Sequence, residues 1–352
     1  MAAKILGMMS GSSLDGLDLA ICEFEGTQYK FLATDQILLP ESIKTRLSDP
    51  LGLSSKALLM LSSDVGMFLA ESSRDFIIET DIPVDLIVSH GHTIYHQPES
   101  NLSCQIGNGG IIASLTGIDT LCDLRIQDIA NGGQGAPLAS LIDLNLFKDC
   151  SVKLNLGGIA NVSISINDHV RSWDVSPCNQ VLNQLASFKG YEYDEGGGLA
   201  RMGNIDEGLW NIWKSIPFFE MSPPKSLDNY WVKNDFFSAV KDVKIEDALH
   251  TMCRFLADTL SKDLKKYLPQ GNHKMLITGG GAHNQFLLEC ISEKVDVEVV
   301  VPEDEVIDYK EALLMSYMGH RYLKGQVNVI ASATGGDKDI IAGALYKGNG
   351  KQ

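Results

Sequence analysis

The sequence predicts two α/β domains, and three observations carry that expectation. The chain has 352 residues, which at roughly 150 residues per domain is about two. A strand, a glycine-rich turn and a second strand occur at the start and again near residue 155. After each such unit, short apolar strands alternate with helical periods, as in layered α/β folds.

Residues 4–9 are apolar and run into Ser10-Gly11-Ser12-Ser13-Leu14-Asp15-Gly16-Leu17-Asp18. Residues 19–24 then resume a strand, so the pair reads as a hairpin. Residues 29–39 suit a third strand. Leu58, Leu61, Val65, Phe68, Leu69, Phe76 and Ile77 give residues 55–80 a helical period. Residues 85–89 form a short buried strand that ends at His90-Gly91. The pattern restarts with a strand at 152–156, a turn at Gly157-Gly158 and a strand at 162–166. Helical periods follow at 178–188 and 246–268. A strand at 275–278 ends at Gly279-Gly280-Gly281, then come a helix at 284–294, a strand at 297–301 and a helix at 308–324. The connection near 129–140 is a candidate hinge, and the tail from Gly348 is expected to fray.

Composition narrows the function. The formal net charge of −16 repels phosphate backbones, so general nucleic-acid binding is not expected. A small phosphate ligand held by backbone amides is still compatible with that charge. No run of eighteen apolar residues occurs, so no membrane span is expected, and the first ten residues do not suit a signal peptide. Seven widely spaced cysteines without a C-x-x-C pair read as reduced thiols in a cytoplasmic protein.

The glycine turns are where chemistry is expected. Phosphates need donors that approach closely, and glycine turns expose backbone N–H groups without side chains in the way. Gly11-Ser12-Ser13 offers amides and hydroxyls, with Asp15 and Asp18 placed to hold Mg²⁺ directly or through water. Gly157-Gly158 offers a second set of amides, and Gly279-Gly280-Gly281 suits an adenine or ribose near a helix start. Each is equally readable as a tight turn. Neither a Walker motif nor G-x-G-x-x-G is present, so any nucleotide is held in another way. His90, His92 and His96 read either as zinc ligands or as a polar strand-end loop in which one histidine meets substrate.

These residues resemble the anhydro-N-acetylmuramic acid kinases, a family of the sugar kinase and actin superfamily. Residues 9–18 are similar to its MSGTSxDGxD, residues 89–98 to SHGQTIxHxP, Gln105-Ile106-Gly107 to QIG, and Asp123-Leu124-Arg125 with Asp128 to DFRxxD. Residues 132–138 match GGQGAPL, and residues 155–161 resemble NIGGIAN. Pro224-Lys225-Ser226, residues 279–284 and Glu311-Ala312 also fit. The chain departs from the family pattern at Val175-Ser176-Pro177 (Thr-Gly-Pro in the family), at Asn183 (an Asp), at His92 (a Gln) and at residues 227–230.

The resemblance implies a two-domain actin-like ATPase (ribonuclease H-like) fold with an interdomain cleft. The expected domains are residues 1–130, joined by a C-terminal helix at 337–352, and residues 131–336. It implies an ATP- and Mg²⁺-dependent enzyme of peptidoglycan recycling. Such an enzyme opens 1,6-anhydro-N-acetylmuramic acid with water and phosphorylates its 6-oxygen. An ordinary amino-sugar or hexose kinase and a catalytically silent sugar and nucleotide sensor are the alternatives. Asp174 is implied as general base, though as a residue type there it equally suits a helix N-cap. Glu311 is implied near the sugar. Residues 11–18, Gly157, Gly158, Gly279, Gly280, Gly281 and Asn284 are implied around ATP, and His90, Gln105, Arg125, Asp128 and Asn179 around the sugar. Arg125 suits either a clamp on the lactyl carboxylate or an ordinary ion pair. A homodimer is a family-level expectation.

Overall fold

The computed structural model describes residues 2–11, 14, 16–166, 169–227, 231–240 and 242–350. The chain divides into two compact units. The first comprises Met1–Leu146 with Tyr309–Gln352, and the second comprises Phe147–Asp308.

The first unit is built on β1 (Lys4–Ser10), β2 (Gly16–Glu25), β3 (Gln28–Leu38), β4 (Leu86–Gln97), β5 (Leu102–Ile106) and β6 (Thr120–Cys122), with one further strand from the end of the chain. Its sheet order is β12-β6-β4-β1-β2-β3, with β5 paired to β4 and β12 being Ala344–Tyr346. The hairpin partners β1–β2 and β2–β3 are antiparallel, whereas β1–β4 and β4–β6 are parallel. Strands β1 and β2 are buried along nearly their whole length, as expected of central strands covered on both faces. The helix Ser55–Thr80 starts where Ser54 Oγ accepts the Ala57 N–H and stops at left-handed Asp81. Its Leu61, Val65 and Leu69 join Leu6, Met8, Leu17, Leu19 and Ile87 in the core.

The second unit repeats this plan with β7 (Val152–Leu156), β8 (Ile159–Ile166), β9 (His169–Pro177), β10 (Lys274–Thr278) and β11 (Glu298–Val300). The order is β11-β10-β7-β8-β9, again with an antiparallel three-strand meander followed by two parallel strands. The helix Ile245–Tyr267 lies under the sheet. Its Glu246 and Asp247 sit at the positive end of the helix and Lys265 and Lys266 at the negative end. Its Leu249, Met252, Leu256 and Leu260 are buried against Val152, Leu154, Val162 and Val175. One ribonuclease H-like topology occurring twice in one chain is the two-domain actin-like ATPase fold.

Three sequence-based expectations change. The unit boundaries fall at 146/147 and 308/309, not at 130/131 and 336/337. The helix Asp304–Leu323 crosses the second boundary and leaves helical geometry there, at Tyr309 (φ −115°, ψ 20°). The closing segment holds a short strand, Ala344–Tyr346, where a helix was expected, because the edge of β6 offers it hydrogen-bonding partners from Thr120 to Cys122. The strand at 85–89 does not stop at His90 but continues to Gln97, because β5 pairs with its polar half.

Close approach fixes one glycine in the first unit. A Cβ on Gly7 would run into Ala312 O and Ser316. Without it, the helix that carries Glu311 lies directly on β1, and Ser316 Oγ donates to Ile5 O at 3.2 Å and Ala20 O at 3.1 Å.

Candidate active site

In the first unit the β4 histidines have separate partners, which is why they do not converge as a ligand set. His92 Nδ1 lies 3.0 Å from Ser10 Oγ, at the end of β1. His96 Nδ1 lies 3.0 Å from Ser103 Oγ on β5. Arg125 Nε donates to His90 Nε2 at 2.9 Å, so the ring proton sits on Nδ1, which donates to Gly91 O at 3.1 Å. His90 is therefore a neutral ring. Burial, and next the Arg125 charge, hold its pKa down to about 3.

Arg125 also donates through Nη1 to Gly135 O at 2.6 Å. Two of its edges are thus fixed, and Nη2 takes no partner among the described residues. Burial lowers its pKa, with Glu311 opposing that shift. The Glu311 carboxyl is raised, first by desolvation and then by the Asp18 charge, while Arg125 and Lys310 pull it back. Asp18 accepts from Gln36 Nε2 at 2.9 Å. Asp18, Arg125 and Glu311 therefore form one electrostatic group, assembled from β2, the loop after β6 and the kinked helix. Gln105 Nε2 donates to Thr93 Oγ1 at 3.2 Å and to Ser103 Oγ at 2.9 Å. With His90 it borders a pocket of about 120 Å³ whose wall includes Ser62, Asn108, Asp123 and Tyr346.

Asp128 is placed differently from the expectation that it meets sugar. It is fully buried, accepting from Gly135 N and from Thr334 Oγ1, each at 2.7 Å. It anchors the same Gly135 loop whose carbonyl Arg125 grips. In the β1–β2 turn, Leu14 has φ +60°, and its N–H bonds Gly11 O at 3.3 Å. A leucine in that conformation is strained and needs the turn to hold it. Gly16 and Leu17 already lie in β2. Ser12, Ser13 and Asp15 fall outside the described residues.

In the second unit the glycine turns meet at one end of the sheet. Gly157 O accepts from Asn179 N at 3.1 Å, and Gly158 O accepts from Cys178 N at 2.9 Å and Gln180 N at 3.1 Å. Asn179 Nδ2 donates to Leu156 O at 2.9 Å. Asn179 thus braces the Gly157 turn. At Gly279 (φ +82°) a side chain would strike Asn155 Oδ1 and the Leu156 carbonyl, so β10 can turn tightly over β7 only with glycine. Gly280 and Gly281 continue that turn. Asn284 caps the helix Gln285–Lys294, its Oδ1 accepting Leu287 N at 3.0 Å.

Asp174 lies inside β9, not at a helix start; Cys178 holds the N-cap position. The β8–β9 register shifts beside it, pairing Ala160 with Ser176 but Asn161 with Asp174, so Val175 is the extra residue of a bulge. Bulges re-aim neighbouring side chains and are frequent at active sites. Asp174 N donates to Lys225 O at 3.0 Å, and Leu227 N donates to Asp174 Oδ2 at 2.8 Å. Oδ1 takes no hydrogen bond among the described residues. Desolvation raises the carboxyl, and the Leu227 amide partly offsets that.

The sequence reading names Lys225 only as part of a family-like motif and does not find Asp263 at all. Lys225 is buried and ion-paired to Asp263 at 3.4 Å. Asp263 Oδ2 also accepts the Trp173 indole N–H at 2.7 Å. Nothing local marks Asp263, which sits 90 residues from Trp173 on a helix whose period reads simply as core.

Two measurable consequences arise here. Unfolded histidine protonates near pH 6.5, whereas folded His90 resists until about pH 3. Its contribution to stability is complete above the unfolded value and is lost as pH falls between the two. His90→Gln keeps an acceptor for Arg125 and removes the titration. Urea denaturation at pH 7, 5 and 4 is expected to show a pH slope smaller by up to one proton, about 1.4 kcal/mol per pH unit. An unchanged slope would mean the ring is not buried neutral. Second, Ser176 is fully buried and its hydroxyl has no hydrogen-bond partner among the described residues. Ser176→Ala is expected to stabilise the protein by about 1 kcal/mol, read as a higher Tm.

Comparison with known proteins covers both units. The sequence model of the anhydro-N-acetylmuramic acid kinase family matches residues 3–348. A relative from Acaryochloris marina called anhydro-N-acetylmuramic acid kinase is 31% identical, over 97% of this chain and 99% of its own. One of the same name from Synechococcus elongatus is 33% identical, over 94% and 97%. Among solved structures, component A of (R)-2-hydroxyglutaryl-CoA dehydratase from Acidaminococcus fermentans aligns over 91% of this chain and 98% of its own, with a TM-score of 0.49 and 12% identity. With the family match running from β1 through β12, and relatives at about this identity matched over nearly their whole lengths, the chain belongs to the anhydro-N-acetylmuramic acid kinase family.

Proposed function

We propose that this kinase uses ATP to open 1,6-anhydro-N-acetylmuramic acid and phosphorylate the freed 6-oxygen, with Asp174 as the base. The observation that carries this reading is the Asp174 carboxylate. One oxygen is fixed by the Leu227 amide, the other takes no hydrogen bond among the described residues, and desolvation makes the group more basic than an ordinary aspartate.

The chemistry balances with one carboxylate base. Asp174 takes a proton from water as that water bonds to the anomeric carbon. The bond from that carbon to the bridging 6-oxygen breaks, and the departing oxygen keeps the electron pair. It attacks the γ-phosphorus in line, and the bond from that phosphorus to the β–γ bridging oxygen breaks, releasing ADP. Asp174 then yields its proton to solvent. The 6-phosphate, ADP and one proton account for the sugar, ATP and water consumed.

The remaining roles are those the family resemblance implies, and the site's chemistry is compatible with them. The resemblance assigns Gly11, Leu14, Gly16 and Leu17, with Ser12 and Ser13, to the phosphates, and Gly157 and Gly158 offer backbone amides to them. Gly279, Gly280 and Gly281 receive the adenosine, and Asn179 and Asn284 brace the turns around it. Arg125 turns its Nη2 edge, which has no hydrogen-bond partner among the described residues, to the lactyl carboxylate, and His90, Gln105 and Asp128 hold Arg125 and the sugar-side loops in place. Glu311 is the second carboxylate on the sugar side.

Mg²⁺ suits this residue set. Asp18 and Glu311 already repel each other, and Mg²⁺ commonly rests on one or two carboxylates plus substrate phosphates. Asp18 and Asp15 would hold it, directly or through water. When bound, it neutralises charge on the phosphate oxygens. On the same reading the enzyme is a cytoplasmic homodimer, which rests on the family resemblance and is checked by sedimentation.

The test is turnover with purified protein, ATP and Mg²⁺. Consumption of the anhydro sugar with one ADP per sugar phosphate supports the reading. Phosphorylation of free N-acetylmuramic acid or hexose alone would make the protein an ordinary sugar kinase. Binding of both ligands without ADP release would make it a sensor.

A further inference from the structure

We infer that Asp263 is a positioning residue for Asp174, acting through Trp173 and Lys225. The inference rests on the proposed role of Asp174 as base. One carboxylate oxygen, Asp263 Oδ2, meets both segments that grip Asp174. It accepts the indole N–H of Trp173, the strand residue immediately before Asp174, at 2.7 Å. It also pairs at 3.4 Å with Lys225 Nζ, in the loop that takes Asp174 N on its carbonyl and sends the Leu227 amide to Asp174 Oδ2.

The burial is unusual for an ion pair. The Lys225 side chain is wholly inaccessible and that of Asp263 is 10% exposed. The ammonium lies 4.9 Å from the centroid of the Phe218 ring and makes no hydrogen bond among the described residues. Such a pair is a poor way to stabilise a core, since well-packed apolar side chains of similar volume commonly do as well or better. What it provides is a fixed point. The β9 bulge leaves Asp174 at an irregular position in its strand, and the segment 225–227 has no regular ladder of its own to define where the Leu227 amide points. Tying Trp173 and Lys225 to one carboxylate fixes both sides of Asp174 from a helix that does not carry it.

The test compares Asp263→Asn, Asp263→Leu/Lys225→Met and Asp174→Asn in the full-length enzyme. Asp263→Asn still accepts from the indole but loses the ion pair. It is expected to lower kcat about 10–100-fold, leave both KM values within about twofold, and move the acid limb of the kcat profile to higher pH, as the Leu227 amide loosens. Amide exchange of Leu227 is expected to speed up about tenfold or more. The double variant replaces the pair with apolar packing and keeps the inference falsifiable if the single variant does not fold. A folded double variant with near-native Tm is still expected to have low kcat and fast Leu227 exchange. Wild-type kcat, acid limb and Leu227 exchange in a folded variant would overturn the inference. If that occurs while Asp174→Asn is inactive, only the role of Asp263 falls. If Asp174→Asn is itself fully active, the base assignment and this inference fall together.

Discussion

Asp174→Asn is expected to lower kcat by about 10²–10⁴, the usual worth of a positioned general base. The affinity for ATP should stay within about twofold, because the second-unit glycines proposed to hold nucleotide do not depend on this carboxylate. Asparagine keeps an acceptor for the Leu227 amide, so the segment 225–227 stays in place and the loss reports proton transfer rather than collapse. The pH profile supplies an independent check. A base must be ionised, and desolvation raises this carboxyl. Activity should therefore fall on the acid side with a midpoint above that of an ordinary aspartate, and that limb should vanish in the Asn variant. The stability sign is opposite to the activity sign. A raised folded pKa means the folded protein binds the proton more tightly than the unfolded chain. The group's stabilising contribution is thus present below the unfolded value and lost as pH rises through the folded one. At pH 7 the Asn variant is accordingly expected to melt no lower than wild type. A lower Tm together with retained turnover would contradict both parts of this expectation.

Arg125→Lys should be the next most damaging change. Lysine keeps the charge but cannot reproduce the fork that bonds His90 Nε2 and Gly135 O together. The site would lose the fixed direction of the open Nη2 edge and place a mobile ammonium among buried polar groups. Truncating a buried, hydrogen-bonded charge contact to a ligand typically costs about 2–5 kcal/mol, or roughly 30- to several-thousand-fold. A loss of about 10²-fold in kcat/KM is expected for the lactyl-bearing anhydro sugar. An anhydro sugar without the lactyl carboxylate should show little difference between wild type and variant. Equal losses for both sugars would assign Arg125 to the fold rather than to the carboxylate. His90→Gln should fall between wild type and Arg125→Lys, since the amide oxygen can still accept from Nε.

Local chemistry carried much of this fold into view. The two hairpins are legible because each places an apolar run on either side of glycines, and the helix at 55–80 is legible from its period. What stayed hidden depended on partners distant in sequence. The strand through His90 looks finished at Ser89 because its second half is polar, and only pairing with β5 makes it a strand. Ala344–Tyr346 has no strand signal of its own and takes that form on the exposed edge of β6. At the site, Asp174 reads equally as a cap or a base until the β9 bulge and the Leu227 amide are seen. His90 reads as a zinc ligand or a substrate contact, and only its bond from Arg125 shows that the ring is held neutral. Asp128 is the right residue type for a sugar contact, but its oxygens are taken by Gly135 N and Thr334 Oγ1. The pairing of Lys225 with Asp263 joins a loop to a helix 38 positions later in the sequence, and no spacing rule reaches that far.

The most direct test of the account is a single turnover in H₂¹⁸O, quenched before the anomeric oxygen exchanges with solvent. If Asp174 readies water for the anomeric carbon, the sugar phosphate carries the label at its anomeric oxygen, the transferred phosphoryl group carries none, and Asp174→Asn forms no labelled product in the same interval. Label absent from the sugar, or appearing in the phosphoryl group, would contradict it.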